Sequence, residues 1–430
     1  MEKSEVFIIE GLAGQRSLSG EIEVGGAKNE VLKILASSIL FDDEVSISAV
    51  PQIEDVFRMM EILTSLGITI SKEEGEAVYH LITSGLSNSL IPPEISKKLR
   101  ASIVLTGPLL SRLGEVSFPY PGGCVIGKRP IDLFLDGYKQ MGATVREDNG
   151  MFYVSAPDKK LQGAEIFFKN QSVTATETFM MAAVLAQGKT VLKNCALEPE
   201  IVSLGDFLIS AGAQISGLGT PTIEIIGGGL LSGKGKVHKT MPDRIEAGSF
   251  ILLGALAAKD LKITNCEPNH LDSLLNLLRQ SGVNFSLGPN FVRVFGNENR
   301  KFQAVDIKTH EYPGFPTDLQ APMSIFLTQT VGQSFVFETI YENRLNYLEA
   351  LERFGSKARI LDSHRAIIDG PTAFLGKEIE SPDLRAGLAY VIAAIVAKGQ
   401  SVVHNVYYID RGYERVDERF RAIGVGIKRM

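Results

Sequence analysis

The sequence predicts an α/β protein in which six copies of one helix-and-strand unit form two domains. Each copy has a buried apolar helix, a second helix with alternating charged and apolar positions, and a glycine followed by a short strand. The glycines recur at intervals of 69 to 75 residues, at Gly67, Gly142, Gly212, Gly282, Gly355 and Gly424. This spacing is too even for chance, and glycine commonly lies just past a helix end.

The apolar helix of each copy lies about thirty to forty residues before its glycine. The six segments read EVLKILASSIL, RASIVLTGPLL, TFMMAAVLA, SFILLGALAA, APMSIFLTQ and GLAYVIAAIVA. They are apolar on nearly every face, so we expect them inside a domain with the sheets outside them. Second helices such as IEDVFRMMEILTSLG have charged residues at helical spacing and should lie nearer solvent.

Six units of this length form two domains of three units more naturally than one large core. The boundary should fall near KVHKTMPD, between the third and fourth copies. We therefore expect an N-terminal domain over residues 28–241 and a C-terminal domain over residues 1–27 and 242–430. No low-complexity linker separates them, so short strands should join the two domains and allow a hinge.

Composition excludes several classes of protein. The 430 residues include 44 basic and 50 acidic side chains, and the net charge of −6 disfavours a general nucleic-acid surface. The N-terminus lacks a signal-peptide layout, and apolar runs such as AYVIAAIVA are too short for a bilayer, so a cytoplasmic protein is expected. Three distant cysteines without a CxxC pair, and six histidines without an HExxH pattern, predict no metal site.

One segment fits a phosphate-binding loop in part. Residues 228–235 read GGLLSGKG, which matches GxxxxGK over seven positions. The eighth position is Gly235, where a phosphate-binding loop needs Ser or Thr for magnesium. A turn between strands is therefore the better interpretation.

A cysteine lies in a loop-forming segment. Residues 119–130 read PYPGGCVIGKRP, which places Cys124 after two glycines and ahead of a Lys-Arg pair. Proline and glycine disfavour a helix or a central strand, so a mobile loop is expected. Cys124 is then either a small apolar side chain packed under a turn or a reactive thiol near cations.

Three of the buried helices begin alike, with an aspartate shortly after a proline, at Asp243, Asp318 and Asp383. Such a carboxylate can cap the free N–H groups of the first turn, so a plain N-cap is the ordinary interpretation of each. The repetition also predicts that three buried helices of one domain point their N-termini the same way. Parallel N-termini concentrate positive potential where an anion would bind.

Basic residues recur at the starts of predicted helices, at Lys28, Arg100, Arg344, Arg385 and Arg411. Taken singly, each is best explained as a solvated surface charge. Taken together, they indicate a shared anion site between the domains. Charge-assisted bonds of about 1.5–3 kcal/mol each could hold a small dianion there.

Several motifs resemble the UDP-N-acetylglucosamine enolpyruvyl transferase family, in order and across nearly the whole chain. They are GGAKNEVLKILASSIL, PGGCVIGKRPIDLFLDGYKQMGA, EPEI at 198–201, PDRIEAGSF, FPTDLQAP, ENR at 342–344, DLRAG and YIDRGYER. The resemblance implies an inside-out α/β barrel of six βαβαββ-like repeats in two pseudo-threefold domains. The related 5-enolpyruvylshikimate-3-phosphate synthases share that fold but lack the cysteine loop.

The resemblance also implies an activity. The enolpyruvyl group of phosphoenolpyruvate would pass to the 3-hydroxyl of UDP-N-acetylglucosamine with release of phosphate, as the committed step of peptidoglycan synthesis, with no metal or organic cofactor. Two alternatives are a sister transferase with another hydroxyl acceptor and a catalytically silent UDP-sugar-binding paralogue. The presence of Lys28, Cys124, Asp318 and Arg411 disfavours the silent paralogue.

The resemblance assigns roles to particular residues. Phosphoenolpyruvate would contact Lys28, Asn29, Arg129 and Arg411, with Arg344 and Arg385 nearby. The nucleotide sugar would contact Arg100, Arg129, Pro130, Ile131, Asp132, Leu133, Ser172, Val173, Asp318 and Ile340. Cys124 would be the general acid, and Asp318 would accept a proton.

These residue types suit the chemistry, because addition to the enol ether needs a proton at C3 and elimination removes it. A thiol with an ordinary pKa near 8.5 is mostly protonated at neutral pH and can donate that proton. Lys128 and Arg129 favour the thiolate, so the resemblance also implies alkylation of Cys124 by the epoxide fosfomycin.

Three positions depart from the family pattern and affect the nucleotide side. Phe134 stands where many relatives have histidine, Thr174 stands where glycine is commoner, and Asn170 stands where some have lysine. These departures bear on contacts to the nucleotide sugar more than on the enolpyruvyl chemistry.

Overall fold

The computed structural model describes residues 5–72, 77–122 and 130–430. The described residues divide into two compact units. The N-terminal unit lies between residues 26 and 241, and the C-terminal unit contains residues 5–25 and 242–430. The chain thus passes from one unit to the other at residues 25–26 and again at residues 241–242.

The first two strands, β1 (Phe7–Glu10) and β2 (Leu18–Glu23), belong to the C-terminal unit. The strands of the N-terminal unit are β3 (Glu44–Ser48), β4 (Thr69–Lys72), β5 (Val78–Ile82), β6 (Glu115–Pro119), β7 (Thr144–Asp148), β8 (Met151–Ser155), β9 (Glu165–Phe167), β10 (Lys189–Lys193), β11 (Gln214–Ser216), β12 (Thr222–Ile226) and β13 (Val237–Lys239). Its α-helices are α1 (Lys28–Ser37), α2 (Glu54–Ser65), α3 (Pro93–Ser96), α4 (Thr106–Leu113), α5 (Asp132–Gln140), α6 (Val173–Val184) and α7 (Pro199–Ser210). Short 3₁₀ helices span Ser38–Leu40, Arg100–Leu105 and Pro157–Lys159.

The remaining strands lie in the C-terminal unit. They are β14 (Ala258–Thr264), β15 (Phe285–Leu287), β16 (Phe291–Phe295), β17 (Ile307–Lys308), β18 (Gly332–Phe337), β19 (Lys357–Ile360), β20 (Arg365–Gly370), β21 (Glu378–Glu380), β22 (Gln400–His404) and β23 (Gly426–Arg429). Its α-helices are α8 (Arg244–Ala257), α9 (Asp272–Ser281), α10 (Gln320–Leu327), α11 (Tyr347–Leu351), α12 (Leu384–Val396), α13 (Tyr407–Asp410) and α14 (Val416–Ala422). Its 3₁₀ helices span Pro268–Leu271, Thr317–Leu319, Arg344–Asn346 and Glu352–Phe354.

One repeat shows the unit clearly. In residues 165–226, strand β9 leads into the buried helix α6 and then into β10, which pairs parallel with β9. Helix α7 and the antiparallel strands β11 and β12 follow, giving the sheet order β11-β12-β10-β9. Five sheets in the described residues share this four-strand order. The sixth, β6-β8-β7, has an isolated parallel bridge from Leu90 to Ser117 in place of the fourth strand. The expected βαβαββ repeat is confirmed.

In two repeats, the first strand of the sheet comes from a distant part of the chain. Strand β2 precedes α1 in the chain but pairs parallel with β14 of the C-terminal unit. Strand β13 precedes α8 but pairs parallel with β3 of the N-terminal unit. In addition, β1 lies between β22 and β23 and completes the sheet of the last repeat. The chain start is therefore tied to the chain end by antiparallel pairing.

The apolar helices form the cores, as their sequences predict. Helices α8, α10 and α12 are buried in the core of the C-terminal unit along their whole lengths, except for the half-buried Leu384 at the start of α12. Helices α4 and α6 pack together in the core of the N-terminal unit. Each fully buried Leu or Phe contributes about 1.5–3 kcal/mol, so these helices contribute substantially to the apolar burial of each unit.

The six periodic glycines all adopt left-handed backbone. Their φ angles lie between 85° and 113°. Gly282 and Gly355 are themselves the residues that end a helical segment, and each of the six glycines precedes an edge strand of its sheet. Residues with a Cβ rarely adopt this conformation. The left-handed backbone therefore explains why glycine recurs at this position in every repeat.

Candidate active site

Two of the three aspartates at helix starts are N-caps. The Asp243 carboxylate accepts hydrogen bonds from the backbone N–H groups of Ile245 and Glu246. The Asp383 carboxylate does the same for Arg385 and Ala386. These carboxylates satisfy donors that would otherwise be unpaired at the buried N-termini of α8 and α12.

The N-cap interpretation is wrong for Asp318. This residue lies inside the 3₁₀ helix Thr317–Leu319, and no side chain caps that helix. Its carboxylate instead accepts hydrogen bonds from two guanidinium groups. The Nη2 atom of Arg344 lies 2.9 Å from Oδ1, and the Nη2 atom of Arg385 lies 2.9 Å from Oδ2. The capping pattern is broken at one repeat, where a cation–carboxylate cluster takes its place.

Burial differs among the three members of this cluster. The side chains of Arg344 and Arg385 are 5% and 4% exposed, whereas that of Asp318 is 28% exposed. The arginines are therefore held inside the unit while part of the carboxylate faces solvent. An accessible carboxylate backed by buried cations is suited to binding a polar ligand.

The charges of the cluster set the pKa of Asp318. Burial alone would raise it, but the positive charges of Arg385 and Arg344 and their hydrogen bonds outweigh burial and hold the pKa below its usual range. Asp318 is consequently ionised at neutral pH. A carboxylate with a lowered pKa is a strong hydrogen-bond acceptor but a weak base while both arginines remain on it.

Further side chains orient the two arginines. The Nη1 atom of Arg385 donates to the buried hydroxyl of Tyr413 at 2.9 Å. The Nη1 atom of Arg344 donates to the hydroxyl of Thr317 at 2.9 Å, and this hydroxyl donates to Oε2 of Glu338 at 2.8 Å. The other oxygen of Glu338 accepts from the backbone N–H of Ile340 at 2.9 Å. Ile340, a predicted contact to the nucleotide sugar, is thus linked to the cluster.

The structure brings Asp318, Arg344 and Arg385 together in the C-terminal unit. The anion site predicted between the domains stays a prediction. Arg411 is buried in the same unit and directly follows α13, two residues before Tyr413. The prediction that Arg411 lies before the final helix is confirmed, since α14 begins at Val416. Its proposed contact with phosphoenolpyruvate stays a prediction.

In the N-terminal unit, Lys28 is the first residue of α1, as predicted. Its Nζ atom lies 2.7 Å from Oδ2 of Asp55, and both side chains are buried. The carbonyl of Asn29 accepts a hydrogen bond from Nζ of Lys33 at 2.5 Å. The Lys28–Asn29 dipeptide therefore lies at the start of a buried helix, with its lysine oriented by a carboxylate.

Arg100 begins the 3₁₀ helix Arg100–Leu105 that leads into α4. Its Nη1 atom donates to the carbonyl of Pro121 at 2.8 Å, and its guanidinium lies 5.5 Å from the ring centre of Tyr120. Arg100 therefore contacts the first residues of the cysteine segment 119–130. Cys124 and Arg129, two of the predicted site residues, lie outside the described residues.

The other predicted nucleotide contacts lie at helix starts. Asp132 begins α5, following Pro130 and the buried Ile131, and Leu133 is the next residue. Ser172 caps α6 by accepting a hydrogen bond from the N–H of Ala175, and Val173 begins that helix. Helix N-termini offer N–H donors to anionic ligands. Their predicted roles are consistent with this placement but remain predictions.

The three departures from the family pattern differ in exposure. Phe134 is buried, and its ring stacks on Phe179 with 6.4 Å between centroids. Asn170 is exposed and Thr174 is half-buried. Phe134 has therefore become a core residue in this chain.

A buried acid in the N-terminal unit was not predicted from the sequence. Glu177 on α6 is fully buried, and its Oε2 atom lies 3.2 Å from Nζ of Lys33. Burial raises the pKa of Glu177 to about 8, because the nearby Lys33 only partly offsets it, and Glu200 and Glu198 add to the rise. Its position in the middle of an apolar helix was the only signal in the sequence.

The two described cysteines are unsuited to nucleophilic chemistry. Cys195 and Cys266 are unpaired and buried, and burial raises the pKa of each thiol to about 11. The described part of the chain has no group of three or more His, Cys, Asp or Glu side chains placed to hold a metal ion. No helix within the described ranges is long and apolar enough to cross a membrane.

A family model described as EPSP synthase (3-phosphoshikimate 1-carboxyvinyltransferase) matches residues 12–420, and the chain belongs to this family. Among its curated relatives, the UDP-N-acetylglucosamine 1-carboxyvinyltransferase of Desulforapulum autotrophicum is 42% identical over 419 residues, which cover 97% of this chain and 99% of the relative. UDP-N-acetylglucosamine 1-carboxyvinyltransferase 2 of Clostridium tetani is 43% identical over 417 residues, covering 97% and 98%.

Solved structures show the same fold. The enolpyruvyl transferase NikO from Streptomyces tendae aligns with a TM-score of 0.87 at 23% identity and covers 99% of both chains. EPSP synthase from Acinetobacter baumannii aligns with a TM-score of 0.74 at 17% identity, covering 99% of this chain and all of that one. The expected inside-out α/β barrel is confirmed.

Proposed function

We propose that this protein transfers the enolpyruvyl group of phosphoenolpyruvate to UDP-N-acetylglucosamine and releases phosphate. The observation that carries the proposal is the identity of 41–43% to curated UDP-N-acetylglucosamine 1-carboxyvinyltransferases over nearly the whole chain. The motif PGGCVIGKRPIDL supports this acceptor over that of the sister synthases, because they lack the cysteine loop. The reaction would supply the committed step of peptidoglycan synthesis.

The reaction proceeds by addition and elimination. In the addition, a proton is delivered to C3 of phosphoenolpyruvate while the acceptor oxygen, at the 3-hydroxyl of the sugar, bonds to C2 and loses its proton. In the elimination, C3 loses a proton, the double bond re-forms and the C2–O bond to phosphate breaks. Atoms and charge balance without a redox partner, so one acid and one base are sufficient.

The predicted site residues have complementary roles in this proposal. Cys124 donates the proton to C3, and Lys28, Asn29, Arg129 and Arg411 bind the phosphate and carboxylate of phosphoenolpyruvate through both steps. Arg344 and Arg385 add positive charge close to the reacting groups. The remaining predicted contacts, Arg100, residues 130–133, Ser172, Val173 and Ile340, bind the nucleotide sugar.

In this proposal, the role of Asp318 depends on its two arginine partners. With two guanidinium groups on its oxygens, Asp318 is a hydrogen-bond acceptor that orients the sugar hydroxyl. It becomes a better base when an arginine moves from the carboxylate to the phosphate of the substrate, because its pKa then rises toward the ordinary value. Binding of phosphoenolpyruvate would in this way activate the acceptor hydroxyl.

Both proposed substrates carry several negative charges and do not cross bilayers unaided, so we place the reaction in the cytoplasm. The second candidate function is transfer to shikimate 3-phosphate, which the description of the matching family model favours.

Phosphate release separates the candidates. The purified full chain should release phosphate from phosphoenolpyruvate with UDP-N-acetylglucosamine, but not with shikimate 3-phosphate or without an acceptor. Release only with shikimate 3-phosphate would establish the second candidate. No release with either acceptor, together with retained binding of UDP-N-acetylglucosamine, would favour a silent binding protein.

A further inference from the structure

We infer that Glu338, acting through the hydroxyl of Thr317, is a positioning residue that orients Arg344 toward the proposed phosphoenolpyruvate site and holds the Ile340 backbone. The inference rests on the proposed function. Glu338 directly follows β18 and is fully buried. Neither its residue type nor its position in the sequence suggests an active-site role.

The direction of each hydrogen bond in this network is determined by chemistry. Arg344 can only donate, and the Oε2 atom of Glu338 accepts from the Thr317 hydroxyl. The Thr317 hydroxyl lies between them, 2.9 Å from Nη1 of Arg344 and 2.8 Å from Oε2 of Glu338. It must therefore donate to Glu338 and accept from Arg344. Glu338 thus determines the orientation of a hydroxyl that in turn orients the arginine.

This contact determines which nitrogen of Arg344 meets Asp318. With Nη1 engaged by Thr317, Nη2 is the atom that donates to Oδ1 of Asp318 at 2.9 Å. The guanidinium also lies 5.3 Å from the ring centre of Tyr341. The backbone N–H of Tyr341 donates to Oε1 of Glu338 at 3.1 Å. Glu338 therefore acts on Arg344 through two routes.

The two oxygens of Glu338 have separable tasks. Oε2 accepts a hydrogen bond from the Thr317 hydroxyl, and Oε1 accepts hydrogen bonds from the backbone N–H groups of Ile340 and Tyr341. The main chain of Glu338 is itself held on both sides by His364, whose Nδ1 and carbonyl oxygen lie 2.7 Å from the carbonyl and the N–H of Glu338, respectively. A well-anchored carboxylate can transmit orientation where a mobile one could not.

The separation of tasks allows a sharp test. In Glu338→Gln, the amide oxygen can still accept from Ile340 and Tyr341, but the NH₂ group that faces Thr317 cannot accept a hydrogen bond. Thr317→Val removes the hydroxyl without changing side-chain size. Both variants should lower kcat/KM for phosphoenolpyruvate by about 10- to 100-fold, the effect of one charge-assisted hydrogen bond, with the Kd of UDP-N-acetylglucosamine unchanged.

A double-mutant cycle tests whether the two residues act as one chain. The variant combining Thr317→Val with Glu338→Gln should lose no more activity than either single variant, because the same contact is removed. Thr317→Ser should restore kcat/KM to within about 3-fold of wild type, since the hydroxyl is kept. Glu338→Ala should additionally raise the Kd of UDP-N-acetylglucosamine, because the Ile340 N–H loses its acceptor.

Thr330→Val is the matched control, because this buried hydroxyl donates to the Leu327 carbonyl at the other end of α10. It should alter thermal stability without altering kcat/KM for phosphoenolpyruvate or the Kd of UDP-N-acetylglucosamine.

Wild-type kinetics in Thr317→Val and Glu338→Gln, or additive losses in the double variant, would overturn the inference while the proposed function stands. An inactive wild-type protein would overturn both. If Glu338→Gln fails to fold, the inference is tested by comparing kcat/KM for phosphoenolpyruvate in Thr317→Val and Thr317→Ser. Equal values in these two variants would overturn it.

Discussion

Asp318 and Arg385 come from adjacent repeats, 67 residues apart in the chain, yet Oδ2 of one lies 2.9 Å from Nη2 of the other. Arg385 follows the capping Asp383, and Asp318 occupies the place where the same pattern would have put a cap. One repeat has thus exchanged a helix cap for a bridge between two buried arginines. This exchange distinguishes a candidate active-site carboxylate from its structural counterparts.

Replacing the bridging carboxylate should abolish most activity. We expect Asp318→Asn to lower kcat by about 100-fold or more, because in the proposed mechanism Asp318 orients the sugar hydroxyl and accepts its proton, which an amide cannot do. The variant should also melt at a lower temperature, since Arg344 and Arg385 lose their counter-charge. Steady-state phosphate release and a thermal melt check both effects.

Asp260→Asn is the control for that change. Asp260 pairs with Arg293 at 2.6 Å, but both side chains are more than 40% exposed. Exposed pairs contribute about 0–1 kcal/mol, so this variant should keep wild-type activity and nearly wild-type stability. Equal losses in the two variants would show that Asp318 has no special role.

Glu177 should make stability depend on pH. Its pKa in the folded protein is about 8, above the ordinary value near 4.3 of an unfolded chain. The folded state therefore binds more protons between these values, and stability should fall as pH rises from 5 to 8. Lys33, Glu198 and Glu200 are the charged groups that act on it.

Glu177→Gln should flatten this part of the stability profile, because the amide does not titrate. Denaturant unfolding at pH 5 and pH 8 measures the slope. Glu224→Gln, which removes an exposed partner of Lys189, is the control and should leave the slope as it is. A wild-type slope in Glu177→Gln would contradict the raised pKa.

The periodic glycines should differ in their tolerance of alanine. Gly67 and Gly212 have φ angles of 102° and 113°, so a Cβ is strained at both. At Gly67 the added Cβ would also lie 2.2 Å from the carbonyl oxygen of Gly85, whereas nothing lies within 4 Å at Gly212. We expect Gly212→Ala to lower the free energy of unfolding by about 1–2 kcal/mol, and Gly67→Ala to lower it clearly more. Urea unfolding measures both changes. Equal losses of stability in the two variants would show that only the backbone strain matters and that the contact with the Gly85 carbonyl does not.

Thiol chemistry should be confined to one cysteine. At neutral pH, fosfomycin or iodoacetamide should add one adduct to the native protein, on the Cys124 peptide, because Cys195 and Cys266 are buried with pKa values of about 11. Peptide mass spectrometry locates the adduct. Cys124→Asp should keep some activity and lose sensitivity to the epoxide. An adduct on Cys195 instead would refute the assignment.

Local patterns predicted the repeats, the buried helices and the basic residues at helix starts, because each of these depends on residues close in sequence. The exchange of β2 and β13 could not be predicted, since those strands pair with partners that local periodicity does not identify. The departure of Asp318 from the N-cap pattern could not be predicted either, because it depends on residues that are distant in sequence. One arginine partner, Arg385, comes from the next repeat, and the other, Arg344, lies 26 residues further along the same repeat.

Side chains that orient the cluster were also missed. Thr317 and Tyr413 lie inside the motifs FPTDLQAP and YIDRGYER, but their contacts with Arg344 and Arg385 depend on tertiary packing. Glu338 lies in no motif that was singled out. A glutamate directly after the apolar end of a strand, in the sequence FVFE, was the available signal.

The most direct test of the central claim is product analysis with the full chain, phosphoenolpyruvate and UDP-N-acetylglucosamine, using wild type and Asp318→Asn in parallel. Wild type should convert the nucleotide sugar to its enolpyruvyl ether with one phosphate released per product, and the variant should form at least about 100-fold less product per unit time. Phosphate release without the ether, or equal product from both proteins, would contradict the account.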